Sequence, residues 1–395
     1  MPVEVVFFNV GQGDCTFLWF YKNVKQQKVG THAVLIDCGS SGAIAPWKLL
    51  PGQRPSKPRK EMVDRLTRKL DDYLGRMQNP NVLDYLIITH PDKDHFNLLE
   101  EVLLRKKDKK QLKYTIGKVL YGLGHPDYKT AGKDFIPTLL TDWGELEGPG
   151  KEKVLAVDMV TMPSQPQELL KNTSDGAGLQ MVGSVIGAGP VGWTHAEQGK
   201  KEDIANEASL VTVLQGAPDQ FGRRQRVLLM ADAIKVDEYT VEGLCPDLCK
   251  RDTHLWLKMG HHGSDSSTGD AWLKTTTPDG LFVSTGVFKF SGKTGTCTES
   301  KMTAVLKQWT TVRKKAKNPV PVPAVHAGLK WGYVAQDSNG DFAYTPTTDG
   351  LFSSLALPQV PGTRNARDEA DKWRGVDWHL RLDDPASGDY EIWYE

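Results

Sequence analysis

Hydrophobic and polar positions in the first hundred residues follow strand-like and helix-like patterns in turn. Apolar runs bounded by glycine turns predict three successive strands, at "VEVVFFNV", "CTFLWF" and "HAVLIDCG". Between Glu61 and Met77 the apolar residues recur every three or four positions, which predicts an amphipathic helix. "LDYLIIT" then predicts a buried strand, and "NLLEEVLLRKK" a second helix.

The rest of the chain divides into three parts by the same patterns. Residues 107–205 mix short apolar runs with Gly, Pro and charge, which is typical of an irregular insertion that shapes a pocket more often than it forms core. Strands are predicted at "ASLVTVLQ", "RVLLMADA", "HLWLKMGHHGS" and "DGLFVSTG", and a helix at "ESKMTAVLKQWTTVRKKA". We therefore expect one large domain over residues 1–318, with 107–205 shaping its cleft, and a β-rich C-terminal extension over 319–395.

Composition narrows the class of protein but not its function. The 395 residues are 39% hydrophobic and 25% charged, as in a soluble globular protein. Lys+Arg and Asp+Glu both total 49, so the overall charge favours neither nucleic acid nor a membrane surface. No apolar run approaches the roughly 20 residues that span a bilayer, and no signal peptide is evident. The five scattered cysteines indicate reduced thiols, so we expect a cytoplasmic protein.

Side chains that bind metal ions follow the ends of several predicted strands. They are Asp37, the group His90, Asp92, Asp94 and His95 in "THPDKDH", then Asp232, and finally His261 and His262 in "GHHGS". Four imidazole and carboxylate ligands in one loop are too many for a single closed tetrahedral site. They suit two neighbouring ions that share a carboxylate and keep positions open for water. Zinc, manganese and iron all accept such mixed ligands.

A simpler interpretation exists for each of these motifs taken alone. "DKDH" after a strand is typical of a solvated turn, and a buried histidine such as one in "HHG" is more often a satisfied core residue than a ligand. The joint occurrence of "THPDKDH", Asp232 and "GHHGS", each after a strand, favours the metal site.

At these residues the chain resembles the metallo-β-lactamase superfamily, and within it the soluble hydrolase domain of the DNA-uptake protein ComEC. The ligand loop HxHxDH of that superfamily is present as "HPDKDH", with Asp92 in place of the middle histidine. "FFNVGQGDCTFL", "VLIDCG", "NEASLVTVL" and "LKMGHHGSDSST" also match the ComEC-like branch. The resemblance covers roughly residues 3 to 290 and implies an α/β fold, an αββα sandwich with a metal cleft along one edge.

The resemblance also implies a ligand set of six residues for two divalent ions, zinc or manganese. His90, Asp92 and a bridging Asp232 would hold one ion, and Asp94, His95, Asp232 and His262 the other. His261 would then support a ligand or donate a proton. The chain departs from relatives in two stretches: Asn206 stands where many carry a histidine, and Thr296 and Cys297 stand where ComEC-like domains carry "YGHP".

Other polar residues near these motifs, Asn206 in "NEASLV" among them, are candidates for substrate contact. Asp94 is placed to orient the nucleophile or to take its proton. Lys258 and Ser264 flank "GHHGS" and could meet a phosphate oxygen, although Lys258 is equally typical of a strand lysine that faces solvent. Asp14 in "GQGD" either lines the same edge or caps a turn.

The function that we expect is phosphodiester hydrolysis, with DNA or RNA as substrate. Basic stretches such as "RKKDKKQLK" and "VRKKAK" suit a phosphate backbone only if they share one face of the molecule. Two alternatives stay open: a hydrolase of a small molecule (a cyclic nucleotide, a lactone or a phosphoester), and a metal-poor binding module. The C-terminal region is a candidate docking surface for a protein partner.

Overall fold

The structure is a computed structural model. It describes residues 2–40, 58–105, 108–123, 128, 135–160, 167–171, 178–184, 205–218, 224–246, 253–284, 289–290, 294–295, 297–315, 331–336, 342–347, 351–353, 355–356, 374–375, 378–382 and 390–394.

The described part of the chain alternates between strands and helices. The strands are β1 (Val3–Phe7), β2 (Thr16–Val24), β3 (Gln27–Ile36), β4 (Val82–Ile88), β5 (Leu104–Arg105), β6 (Asp108–Leu112), β7 (Thr115–Gly122), β8 (Ala156–Val160), β9 (Gln167–Lys171), β10 (Gly178–Ser184), β11 (Leu210–Pro218), β12 (Arg224–Leu229), β13 (Thr253–Lys258), β14 (Gly280–Val283), β15 (Lys289–Phe290), β16 (Thr294–Gly295), β17 (Trp331–Gln336), β18 (Phe342–Thr347), β19 (Leu351–Ser353), β20 (Leu355–Ala356), β21 (Arg374–Gly375), β22 (Trp378–Leu382) and β23 (Tyr390–Tyr394). The helices are α1 (Pro58–Gly75), α2 (Lys93–Phe96), α3 (Leu99–Leu103), α4 (Phe135–Thr141), α5 (Lys235–Leu244), α6 (Asp270–Thr276) and α7 (Glu299–Lys315).

Two large mixed sheets organise these elements. The first has the strand order β23-β22-β1-β2-β3-β4-β7-β8, and the second the order β18-β17-β19-β14-β13-β12-β11-β10-β9. Strands β3, β4, β7 and β8 are parallel in the first sheet, and β12, β13 and β14 are parallel in the second. Carboxyl ends of parallel neighbours meet at one sheet edge, so the loops after β3 and β4 lie together, as do those after β12 and β13.

Alternation along the strands builds three apolar layers. In β2, Leu18 and Phe20 point to the layer between the two sheets, whereas Phe17 and Trp19 point to the layer under α1. In β13, Trp256 joins the inter-sheet layer, and its neighbours on either side pack toward α5, α6 and α7. The order of layers is therefore helix, sheet, sheet, helix. The predicted αββα sandwich is confirmed.

The predicted elements differ from the structure in two places. The helix predicted at "NLLEEVLLRKK" ends at Leu103 and continues into strand β5. Within the insertion 107–205, strand β7 lies between β4 and β8 and buries Ile116, Val119 and Leu120. This part of the insertion forms core because its apolar side chains alternate on a strand that is covered on both faces. Much of the remaining insertion lies outside the described residues, so its role in shaping the cleft stays a prediction.

The C-terminal extension is β-rich, as expected, and it is attached to both sheets. Strand β22 pairs antiparallel with β1, and β19 pairs parallel with β14. The domain boundary near residue 318 stays a prediction. Within the described residues, no helix is both long enough and apolar enough to cross a membrane.

Candidate metal centre

Three loops that are distant in sequence are joined by backbone hydrogen bonds beside the ligand motif. The amide of Asp14, in "GQGD", donates to the carbonyl of Asp94 (3.0 Å), and the amide of Cys38 donates to the carbonyl of His95 (2.7 Å). This close approach needs glycine: a Cβ at Gly39 would lie 2.3 Å from the carbonyl carbon of Asp94. The loops after β1 and β3 therefore support the ligand loop directly.

The second sheet supplies its ligands from a strained turn. His261, His262 and Gly263 form a single turn with φ of 43°, 51° and 75°. Residues other than glycine rarely adopt this left-handed region. The amide of His261 donates to the carbonyl of Ala231 (3.0 Å), which ties this turn to the residue before Asp232. The structure thus brings Asp232 and the histidine pair together at the ends of β12 and β13.

The Nδ1 atoms of three imidazoles are occupied by acceptors, and this arrangement orients the rings. His262 Nδ1 lies 2.7 Å from the carbonyl oxygen of Ser284, and His95 Nδ1 lies 2.7 Å from Asp37 Oδ2. Since a carbonyl or carboxylate can only accept, Nδ1 carries the proton in both rings. His90 Nδ1 similarly contacts Thr89 Oγ1 (3.0 Å). In each ring Nε2 therefore faces the cluster, and it offers a lone pair to a metal ion that displaces any proton it carries.

These Nε2 atoms converge on the carboxylate of Asp232. Asp232 Oδ1 lies 3.2 Å from His95 Nε2 and 3.4 Å from His262 Nε2, and Oδ2 lies 3.8 Å from His90 Nε2. Asp94 approaches from the other side, with Oδ2 3.5 Å from His262 Nε2. This carboxylate thus contacts three imidazoles, and the bridging role that the resemblance implies for Asp232 stays a prediction.

The electrostatics of this cluster favour added positive charge. Burial disfavours the charged imidazole of His262, but the carboxylates of Asp232 and Asp94 raise its pKa to about 9. The pKa of His95 is raised as well, because Asp232 and Asp37 outweigh its burial. Burial would raise the pKa of Asp232, yet His262 and His95 hold it well below its usual value. The carboxylates stay ionised and attract cations.

The residues present fit bound divalent metal ions. Nε2 of His90, His95 and His262 and Oδ1 of Asp232 and Asp14 are buried and have no hydrogen-bond partner. Buried polar atoms are nearly always paired, so orphaned atoms that face one another indicate a missing ligand. Ligand atoms lie within 4.8 Å of one another in four groups: His90, His95 and Asp232; Asp94, His95 and His262; Asp14, Asp37 and His95; Asp14, Asp232 and His262.

Two predicted site residues lie at the margin of the cluster. Asp92 is at its mouth, with Oδ2 3.7 Å from His90 Nε2 and a side chain 41% exposed, and it belongs to none of those four groups of described residues. His261 places Nε2 4.0 Å from Asp232 Oδ2, while its Nδ1 contacts Ser266 Oγ (2.7 Å). Burial and the neighbouring His262 lower the pKa of His261, so this imidazole is neutral.

Lys258 and Asp14 form a buried ion pair that joins the two sheets. Lys258 ends β13, and its ammonium group donates to Asp14 Oδ2. Both side chains are almost completely buried, so the interpretation of Lys258 as a strand lysine facing solvent is wrong. Asp14 lines the site edge, with Oδ1 3.7 Å from His262 Nδ1. Whether either residue contacts substrate stays a prediction.

The other predicted substrate contacts lie in supporting positions. Ser264 is nearly buried and shares a hydrogen bond of 2.6 Å with Ser266 Oγ. Asn206 is buried, and its backbone carbonyl accepts from the amide of Ser209 (3.0 Å). Their contacts with substrate stay predictions. Thr296 lies outside the described residues, and its neighbour Cys297 is buried in the layer under α7.

The sequence names Asp37 among the metal-binding candidates but does not show that it orients a ligand, and it gives no indication of Ser209. Asp37 accepts hydrogen bonds from His95 Nδ1, from the amide of Thr89 (2.8 Å) and from its hydroxyl (2.7 Å). Ser209 Oγ accepts from the amide of Asp232 (3.2 Å) and lies 3.4 Å from His90 Nδ1. The strand-end position of Asp37 in "LIDCG" is the signal that identifies it. No local signal identifies Ser209 or the carbonyl of Ser284.

Comparisons with known proteins give little beyond the geometry. No protein-family model matches the chain, and no curated protein matches it. A solved structure titled "Rm3 metallo-beta-lactamase" is similar over 57% of this chain at 14% identity, with a TM-score of 0.23. The chain spans 60% of the length of that protein. At this TM-score the similarity assigns neither fold nor function.

Proposed function

We propose that this chain is a metal-dependent hydrolase of the metallo-β-lactamase type, which cleaves phosphodiester bonds in DNA or RNA through a two-metal centre. The observation that carries the proposal is the cluster of buried imidazole and carboxylate atoms that face one another without hydrogen-bond partners. The substrate class and the ComEC-like branch are supported by the motifs "HPDKDH" and "GHHGS".

The proposed ligands divide into two sets that share Asp232. His90, Asp92 and Asp232 would hold one zinc or manganese ion, and Asp94, His95, His262 and Asp232 would hold the other. When bound, such ions would supply positive charge that polarises a phosphodiester and lowers the pKa of the attacking water.

Residues of the chain would complete the chemistry. Asp94 is ionised, because His262 and His95 outweigh the burial that would raise its pKa. Its carboxylate therefore orients the attacking nucleophile or accepts its proton. His261 has a side chain that is 24% exposed, so it would take up a proton from solvent and pass it to the leaving oxygen. Lys258 would hold the carboxylate of Asp14 in place at the edge of the site through their ion pair.

The test begins with the metal content of the purified protein. We expect close to two divalent ions per chain, and turnover of a chromogenic phosphodiester, of single-stranded DNA or of RNA with added Mn²⁺ or Zn²⁺. Asp94→Asn should reduce kcat by at least about a hundredfold, as loss of a general base does. Asp158→Asn is the matched control, because this carboxylate is 53% exposed and lies on β8, outside the cluster.

Other outcomes would point to the alternatives. Turnover of the small diester without cleavage of polymers would replace the nuclease by a small-molecule hydrolase. Less than one ion per chain and no turnover on any substrate would indicate a metal-poor binding module. A cytoplasmic location and a protein partner at the C-terminal region stay proposals; a tagged full-length chain, followed by microscopy and pull-down, tests both.

A further inference from the structure

The loop after the histidine turn is held by two buried charges from the outer helices. Glu238 on α5 accepts hydrogen bonds from the amides of Thr268 and Gly269, the latter at 3.0 Å. Lys301 on α7 donates its ammonium hydrogens to the carbonyls of Ser267 and Thr268, the latter at 3.3 Å. Glu238 is 3% exposed and Lys301 9% exposed. Loop 264–269 therefore has its amides bound by a buried carboxylate and its carbonyls by a buried ammonium group.

The hydrogen bonds of Glu238 and Lys301 hold a loop whose backbone is strained. Besides His261 and His262, Thr268 also has a left-handed φ, of 48°. For residues other than glycine this conformation costs about 1–2 kcal/mol each. Charged groups form stronger hydrogen bonds to backbone than neutral groups do, and a buried charge is kept only where it is paired. Glu238 and Lys301 meet that condition through the loop.

The loop transmits its position to the histidine pair. Ser266 Oγ lies 2.7 Å from His261 Nδ1, so this serine sets the orientation of the imidazole. Ser267 Oγ donates to the carbonyl of Gly260 (2.6 Å), the residue directly before the histidine turn. The side chains of Ser266 and Ser267 therefore connect loop 264–269 to the histidine turn, each through one hydrogen bond.

We propose that Glu238 and Lys301 are positioning residues of the metal centre: they hold loop 264–269, and through Ser266 and Ser267 they set the geometry of His261 and His262. Neither residue touches the cluster itself. This proposal rests on the metal centre proposed above.

Cobalt(II) alone is the probe, because its visible d–d absorption reports on the coordination geometry. The decisive variants are Glu238→Gln, which is nearly isosteric but replaces one of the two acceptor oxygens by an NH2 donor, and Lys301→Met, which removes the ammonium group. The matched controls are Glu242→Gln, one turn along α5, and Lys307→Met, an exposed lysine on α7. Each is measured as the full chain for Co²⁺ affinity, for the spectrum at saturating Co²⁺, and for thermal unfolding without added metal.

We expect both variants to bind Co²⁺ about tenfold more weakly or worse, as loss of a residue that orients a metal ligand does. Their spectra at saturation should differ from the wild type, and both controls should match it. Spectra and affinities like the wild type in the variants, even with a lower Tm, would overturn the positioning role. If Lys301→Met does not fold, Glu238→Gln decides. A wild type that binds less than one Co²⁺ per chain would instead overturn the metal centre, and the positioning role with it.

Discussion

At the scale of single residues, glycines contribute to the candidate metal centre as directly as the ligands do. Gly13 has a φ of 152°, and a Cβ there would lie 2.4 Å from the carbonyl oxygen of Gly39. A Cβ at Gly39 would lie 2.4 Å from the amide nitrogen of His95. These contacts are with backbone, which cannot rotate away as a side chain can. The glycines of "GQGD" and "DCG" therefore determine how closely the ligand loop approaches β1 and β3.

We predict that Gly39→Ala displaces the ligand loop. Overpacking of this kind destabilises by about 1–3 kcal/mol, and the shift of Asp94 and His95 should weaken metal binding at least tenfold. Urea unfolding and titration with Zn²⁺ or Mn²⁺ measure the two effects. Gly243→Ala in α5 is the control: beyond the adjacent backbone of its own helix, no atom lies within 4 Å of a Cβ placed there. Metal affinity should therefore not change, and stability should rise by about 0.5–1 kcal/mol. Metal affinity like the wild type in Gly39→Ala would refute the prediction.

At the scale of elements, the first turn of α5 contains a buried carboxyl group. Asp237 Oδ2 accepts from the amide of Ile234 (2.7 Å), as a residue three positions into a helix often does. Burial, with the nearby charges of Glu207 and Glu238, raises the pKa of Asp237 from 3.8 to about 8. Between these two values the folded protein keeps a proton that the unfolded chain releases. The contribution of Asp237 to stability is therefore full below the unfolded pKa of 3.8 and is lost as pH rises toward the folded pKa of about 8.

We predict that Asp237→Asn removes this pH dependence. The asparagine keeps one acceptor for the amide of Ile234 and carries no charge. The stability of the variant relative to the wild type should therefore rise between pH 5 and pH 8.5. Urea unfolding at three pH values measures the difference. Asp158→Asn, on the exposed edge of β8, is the control. Its stability relative to the wild type should change by no more than about 1 kcal/mol over the same pH range. A difference for Asp237→Asn that stays constant or falls with pH would show that the carboxyl group is not buried as described.

At the scale of the whole molecule, the C-terminal strands are part of the sandwich. Strand β22 pairs with β1 so that Leu380 lies opposite Val5 and is fully buried between the two sheets. The same strand brings His379 Nδ1 to within 3.0 Å of Glu4 Oε1, a buried carboxylate that Tyr73 of α1 also binds. Residues at the two ends of the sequence thus share one core.

We predict that Leu380→Ala destabilises the whole protein by about 2–5 kcal/mol, as leucine-to-alanine changes in a core do. Leu155→Ala removes the same atoms from a side chain that is 73% exposed, and it should change stability by no more than about 0.5 kcal/mol. Chemical unfolding of the full chain measures both. If the two variants unfold alike, β22 does not contribute to the inter-sheet core.

Much of the fold follows from local pattern. The helix predicted from Glu61 to Met77 is α1, Pro58–Gly75, because its apolar spacing matches one buried face. In the irregular insertion, the run "IGKVLYGL" is a strand candidate, but the Gly, Pro and charge around it do not indicate that β7 is buried on both faces. Among site residues, Asp232 and His262 follow strands, and that position identifies them as metal-binding candidates.

The sequence by itself determined which residues can bind metal and that they follow strands, because residue type and periodicity are local properties. Only the tertiary structure decided which ring nitrogens face the cluster, since His262 depends on a carbonyl 22 positions away and His95 on a carboxylate 58 positions away. It also decided that Lys258 is buried against Asp14, 244 positions away. Such contacts depend on how the two sheets pack, and no local pattern of hydrophobic and polar residues encodes that packing.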